Sequence, residues 1–169
     1  MARSASSMSY LSRFWTFLQI TFPKLDRISK NVSRGERISR FVFYNGHFDE
    51  KNGRIDFAAF LPPKKAKDIS VFRTMNCGER KVWLLGDLFV ARTRKDKRGI
   101  LARGDVESDL VFDDGLAIVA MPTPHPRHAL IADWPDEKSL RKIKAMTLAQ
   151  RSTLHVHPRR DVPKARSLN

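Results

Sequence analysis

Residues 38–44 read Ile-Ser-Arg-Phe-Val-Phe-Tyr and run directly into Asn45-Gly46. β-Branched and aromatic side chains dominate these seven positions, which favours extended backbone, and Asn-Gly marks a turn. A second turn signal, Asn52-Gly53, precedes residues 54–61 (RIDFAAFL), another run of strand character that Pro62-Pro63 ends. The two runs predict a hairpin with a long loop carrying His47, Asp49 and Glu50, and a hairpin at the start of a folded block favours antiparallel pairing.

The chain beyond it continues in short segments. Residues 69–74 (ISVFRT) form a third strand in this reading. Residues 77–91 predict a helix with Asn76 as N-cap and an apolar face of Val82, Leu85, Leu88 and Phe89. The connector 92–98 (RTRKDKR) is basic. A strand at 100–106, a helical turn at 107–112 ending at Asp114-Gly115, and an apolar run at 116–121 (LAIVAM), long enough for a buried strand, come next. Pro122, Pro124 and Pro126 impose an extended loop before the short apolar stretch 129–132. A second helix is expected from Pro135 to about Gln150, with Asp136 and Glu137 against its dipole and Leu140, Ile143 and Thr147 on one side. Residues 153–156 suggest a last strand. The expected architecture is α+β: about six short, mostly antiparallel strands with two main helices packed on one face.

Composition sets the partner class. The 169 residues hold 32 Lys+Arg against 18 Asp+Glu, a formal net charge of +14. Such an excess favours anionic partners and says nothing about fold. Residues 1–34 contribute Arg3, Arg13, Lys24, Arg27, Lys30 and Arg34 against Asp26, and residues 158–169 contribute Arg159, Arg160, Lys164 and Arg166 against Asp161. The organisation expected is a basic aromatic extension over 1–34, one α+β domain over 35–157 and a basic flexible tail over 158–169. Within the extension, Met8, Leu11, Trp15, Leu18 and Phe22 fall at helical spacing, and Phe14 and Phe17 widen the stripe. That stripe suits packing on the domain, a protein partner, a membrane surface or a targeting segment. No apolar stretch has the roughly 18–20 residues that span a bilayer. A single cysteine, Cys77, excludes an internal disulfide and fits a reducing, cytoplasmic setting.

Two kinds of chemistry are candidates. The stronger is polyanion binding. Lys64, Lys65 and Lys67, then Arg94, Lys95, Lys97 and Arg98, form dense clusters suited to phosphate contacts, and Trp83, Phe43 or Tyr44 would stack on bases if exposed. Phe43 and Tyr44 alternate on a strand, so only one of them faces out. This makes the chain a small basic accessory domain that binds nucleic acid or another polyanion without strong sequence specificity. The rival is a metal-independent enzyme acting on phosphodiesters, with His47 and His128 as the acid–base pair and Arg73 or Arg127 as the cation. Arg73 shares a strand side with Ile69 and Val71, so a partner such as Asp56 or another acid is expected for it. A third class is a protein-interaction module that docks through residues 1–34.

His125 and His128, with His155 and His157, would give four nitrogens, but no zinc-site spacing is matched and no metal is expected. No glycine-rich phosphate loop or nucleophile elbow occurs, so no cofactor is implied. Cys77 reads as a buried structural thiol. The order ISRFVFYNGHF, AAFLPP, SVFR and PRHALIADWP over residues 37–157 resembles small uncharacterised bacterial proteins. That resemblance implies a compact cytoplasmic domain and no particular activity.

Overall fold

The computed structural model describes residues 14, 16–18, 20, 26–63 and 66–158. Among the described residues from 26 onward, eight strands and three α-helices follow in chain order: β1 (Arg37–Val42), β2 (Phe48–Asp49), β3 (Arg54–Ile55), β4 (Ile69–Arg73), α1 (Glu79–Gly86), β5 (Ala102–Glu107), α2 (Ser108–Asp113), β6 (Ala117–Ala120), β7 (His128–Ala132), α3 (Lys138–Arg151) and β8 (Thr153–Val156). Six strands form one sheet in the order β6-β7-β4-β1-β5-β8, every neighbouring pair antiparallel; β2 and β3 pair separately. The class is α+β, as expected.

Three local expectations give way. The first strand does not pair with residues 54–61. Its neighbours are β5, along all six residues, and β4, at Ile38↔Arg73 and Ser39↔Phe72. Only Arg54–Ile55 is extended, against Phe48–Asp49, because Asp56 then caps a 3-10 turn, accepting from Ala58 N at 2.8 Å, and redirects the chain. Helix α1 begins two residues later than predicted, at Glu79 with Gly78 as its N-cap; Asn76 instead adopts a left-handed turn with φ +59°. The run 116–121 supplies an edge strand, not a buried one, and leaves Val119 and Met121 exposed.

Alternation along the strands divides the core in two. Ile38, Val42, Ile69, Val71, Ala102, Val106, Ala129 and Ile131 point to one face, where the 48–60 segment, α2 and α3 pack through Phe60, Val111, Ala145 and Leu148. Phe41, Phe43 and Phe72 point to the other and meet α1 through Val82, Trp83 and Leu85. The two main helices therefore lie one on each face, not together. Close approach fixes α1 on one face and the 48–60 segment on the other. A Cβ on Gly86 would stand 2.4 Å from Ile100 Cδ1 and 2.7 Å from Phe41 Cε1, so α1 is seated directly on β1; a Cβ on Gly104 would stand 3.2 Å from Ile55 Cγ1 on the opposite face. Burying each large apolar side chain contributes roughly 1.5–3 kcal/mol.

The predicted stripe on α3 is reversed. Ala145, Leu148 and Ala149 face the core, whereas Leu140, Ile143 and Met146 are exposed. Alanines are needed where α3 runs beside the Phe57–Ala59 turn. In the N-terminal segment, helical Phe14 and Phe17 are exposed and Ile20 is buried, while Met8, Leu11, Trp15 and Phe22 lie outside the described residues.

Residues 26–36 are tied to the body by charge. Arg127 Nε and Nη2 donate to the two oxygens of buried Asp26 at 2.6 and 2.8 Å, and Lys81 Nζ stands 3.0 Å from Oδ2. Burial alone would raise the Asp26 pKa, but hydrogen bonds from Arg127 and then Lys81 outweigh it and hold the carboxyl below its usual range. Arg73 is fully buried on the Ile69 and Val71 side, as its alternation predicts. Its partner is Glu36, at 2.8 and 2.7 Å, together with the carbonyls of Ser29 and Asn31, and not Asp56. Among the described residues, no helix is long and apolar enough to cross a membrane.

Candidate nucleic-acid interface

Beyond Gly86, α1 loosens into a π-turn over Asp87–Ala91, closed by Arg92 N on Asp87 O. Such turns widen the helix and shift the chain that follows. Here they deliver the connector 92–98 to the end of β1. Phe43 is buried beneath and Tyr44 is 40% exposed, as strand alternation requires.

Two guanidinium groups lie against these rings. Arg94 Cζ is 4.1 Å from the Phe43 centroid and 5.8 Å from that of Tyr44, and its Nη2 donates to Tyr44 Oη at 3.3 Å. Arg98 Cζ is 4.6 Å over Tyr44. Asp96 braces both, accepting from Arg94 Nε and Nη2 at 2.8 and 2.6 Å and standing 3.5 Å from Arg98 Nε. The Arg94 hydrogen bonds are the main reason the Asp96 carboxyl is pulled down to about 2. Lys95, Lys97 and Arg92 are exposed around this core, and Lys97 takes φ +52° to close the connector.

Two further groups set the electrostatics from beneath. The Arg40 guanidinium inserts where β1 and β4 part and donates to Ala59 O at 2.9 Å and Ser70 O at 2.8 Å. Burial, with a smaller effect from the charge of Arg94, lowers its pKa to about 10. It remains a cation at neutral pH. The His47 ring lies 5.0 Å from that of Tyr44, tilted by 48°; burial pushes its imidazole below the ordinary value, Asp56 opposes the effect and Arg40 adds to it. His47 is therefore mostly neutral at pH 7.

Of the predicted phosphate contacts, Arg94 and Arg98 come together at Tyr44, and Lys95 and Lys97 are exposed on the same connector. Lys67 does not join them; it lines a separate depression of 630 Å³ with Asp68, Asp133 and Asp136. Lys64 and Lys65 lie outside the described residues. Trp83 is buried under Arg103, whose Cζ is 4.5 Å from its ring, and is closed to a base.

The predicted catalytic trio does not converge. Arg73 faces the Ile69 side of the sheet and is held by Glu36. His128, paired in register with Phe72, points to the other side, where its Nε2 meets Ser70 Oγ at 2.8 Å. His47 lies past the opposite end of β1. The four remaining histidine candidates for a metal are divided as well: His125 packs on Phe89, His128 on Phe72 and His157 on Trp83, while His155 faces Asp105. Among the described residues, no group of three or more His, Cys, Asp or Glu side chains is arranged to hold a metal. Cys77 is buried, and burial raises its thiol pKa.

Missed at the level of sequence were the supporting charge of Arg40 and the polar array built on Asp105. Arg103 and Asp105, two apart on one strand and so on one face, were its visible signal. Protein-family models, curated proteins and solved structures were compared with the chain, and none matches.

Proposed function

We propose that this protein binds nucleic acid, with other polyanions as weaker substitutes, through the exposed Tyr44 ring and the cations of the 92–98 connector. The observation that carries this reading is the pairing of the partly exposed Tyr44 with two guanidinium groups at 4.6 and 5.8 Å from its ring, on a connector that also holds exposed Lys95 and Lys97. An unstacked base fits against Tyr44 and the Arg98 plane, while Lys95, Lys97 and Arg92 take the flanking phosphates. Every base offers a π-face, so such a platform tolerates sequence. A single strand fits it better than a duplex, whose bases are already stacked.

The test is fluorescence anisotropy of a labelled single-stranded homopolymer over a range of salt concentrations, with the wild type and an R94Q/K95Q/K97Q/R98Q variant of the full chain. If the two phosphate contacts of Lys95 and Lys97 are lost, the slope of log K against log salt flattens by about 1.4. Tyr44→Ala should weaken binding by about ten-fold with the slope unchanged, since stacking is insensitive to salt. An unaltered slope in the four-fold variant, with its melting temperature preserved, removes the proposal.

A further inference from the structure

By strand register, the opposite end of β5 from Tyr44 carries a cleft of 340 Å³ lined by Arg37, Asp105, Glu107, Arg151, Thr153 and His155. Its floor is Asp105, buried and firmly held. Oδ1 accepts from Ser39 Oγ at 2.6 Å and Arg103 Nε at 3.0 Å, and Oδ2 accepts from Arg103 Nη2 at 3.3 Å. Arg103 is itself locked by Glu79 through two bonds of 2.8 Å. On this fixed carboxylate rests His155, with Nε2 3.3 Å from Oδ2 and the side chain 35% exposed. A histidine oriented through one ring nitrogen offers the other to a ligand.

Beside this floor stand Arg37 and Arg151, with Glu107 as a second carboxylate on the lining. Arg37 Nε is 4.0 Å from Asp105 Oδ2, buried, and without a hydrogen-bond partner among the described residues, although Nη2 reaches Thr74 O at 3.2 Å. Arg151 ends α3 and is exposed. The cleft thus combines a histidine held in place, an arginine with an unmet donor and a second arginine at its rim. Glu107 and Thr153 lie on the same lining and accept from hydroxyl groups.

We propose that this cleft is a binding site for a phosphomonoester carried on a small hydroxylated molecule, the chemical class of sugar phosphates. Arg37, Arg151 and His155 hold the phosphate, and Glu107 takes a hydroxyl of the remainder. Asp105 is a positioning residue that fixes the imidazole. The volume is at the lower end of small-ligand sites and exceeds what a lone phosphate fills.

The test uses NMR of the full chain, following the His155 Cε1–H signal, assigned with His155→Gln. The probes are ribose 5-phosphate, ribose and inorganic phosphate. Ribose 5-phosphate should shift His155 saturably, inorganic phosphate should bind more weakly, and ribose should leave the signal in place. Arg151→Gln, a surface change that leaves the fold intact, should weaken ribose 5-phosphate binding about ten-fold. The R94Q/K95Q/K97Q/R98Q variant should bind it as the wild type does, which separates this site from the Tyr44 platform. A response to ribose alone, an unchanged affinity in Arg151→Gln, or a His155 signal that never moves would overturn the assignment.

Discussion

The two kinds of arginine in this molecule face opposite fates. Arg73, Arg103 and Arg127 are buried, and each is gripped by a carboxylate: Glu36, Glu79 with Asp105, and Asp26. Arg94 and Arg98 share a single carboxylate, Asp96, and lie on aromatic rings at the surface. The first set uses its charge to close the fold; the second lies partly exposed to solvent, Arg98 more than Arg94. Net charge read from composition mixes the two, and only the second set can attract a polyanion. The excess of +14 is therefore a poor measure of the interface, and the position of each partner acid is the better one.

The largest effect expected from breaking this contrast is at Asp26. Asp26→Asn leaves Arg127 and Lys81 facing each other without their shared acid, and loss of one partner from a buried charge cluster costs about 3–5 kcal/mol. Chemical denaturation of the full chain measures it. The pH dependence follows from the lowered Asp26 pKa. A carboxyl held below its unfolded value of about 3.9 contributes fully above that pH and loses its contribution as pH falls through the folded value. Wild type should lose stability below about pH 4 more steeply than Asp26→Asn. Equal acid sensitivity would show that the cluster does not anchor the N-terminal segment.

Much of this contrast was legible in the strands and little of it in their partners. Arg73 was readable as buried because it alternates with Ile69 and Val71; its acid was not, because Glu36 comes from the segment before β1 and no local pattern joins the two. The Phe43 and Tyr44 division was readable for the same period-two reason. The hairpin was misread because β propensity identifies a strand and not its neighbour, and Asp56 turned the second run aside. The exposed stripe on α3 was misread because Leu140 and Ile143 are larger and more apolar than Ala145 and Ala149. The inward face had to be the narrow one. The Asp105–His155 cleft joins β5 to β8 across a helix, beyond the reach of any spacing rule.

A smaller effect is expected at the seat between the two sets. Gly86 brings α1 onto Phe41 and Ile100, and the π-turn that follows it carries the connector to Tyr44. Gly86→Ala should destabilise by roughly 1–3 kcal/mol through overpacking. Gly46→Ala, where an added Cβ meets nothing within 4 Å, should lie within about 0.5 kcal/mol of wild type. If the connector depends on this seat, Gly86→Ala should also weaken single-strand binding, whereas Gly46→Ala should not. Equal denaturation midpoints for the two variants would mean that α1 tolerates displacement from β1.

The smallest effect sharpens the comparison at its open end. Asp96 is the brace that partly neutralises Arg94 and Arg98, and Asp96→Asn keeps its shape while removing its charge. The expected outcome is a few-fold tighter binding to a single-stranded homopolymer and a salt slope steeper by about 0.7, the value of one additional phosphate contact. With the Asp96 carboxyl down to about 2, it is ionised at every working pH, so the gain should be the same at pH 5 and pH 8. His47 behaves differently: its imidazole, pushed below the ordinary value by burial, gains its proton at lower pH than a free histidine and then adds a cation beside Tyr44. Wild type and Asp96→Asn should therefore both tighten on acidification, and His47→Gln should abolish that tightening in either background. If Asp96→Asn instead weakens binding, the carboxylate matters more for holding the two guanidinium planes on their rings than for the charge it removes, and the platform is built by geometry before electrostatics.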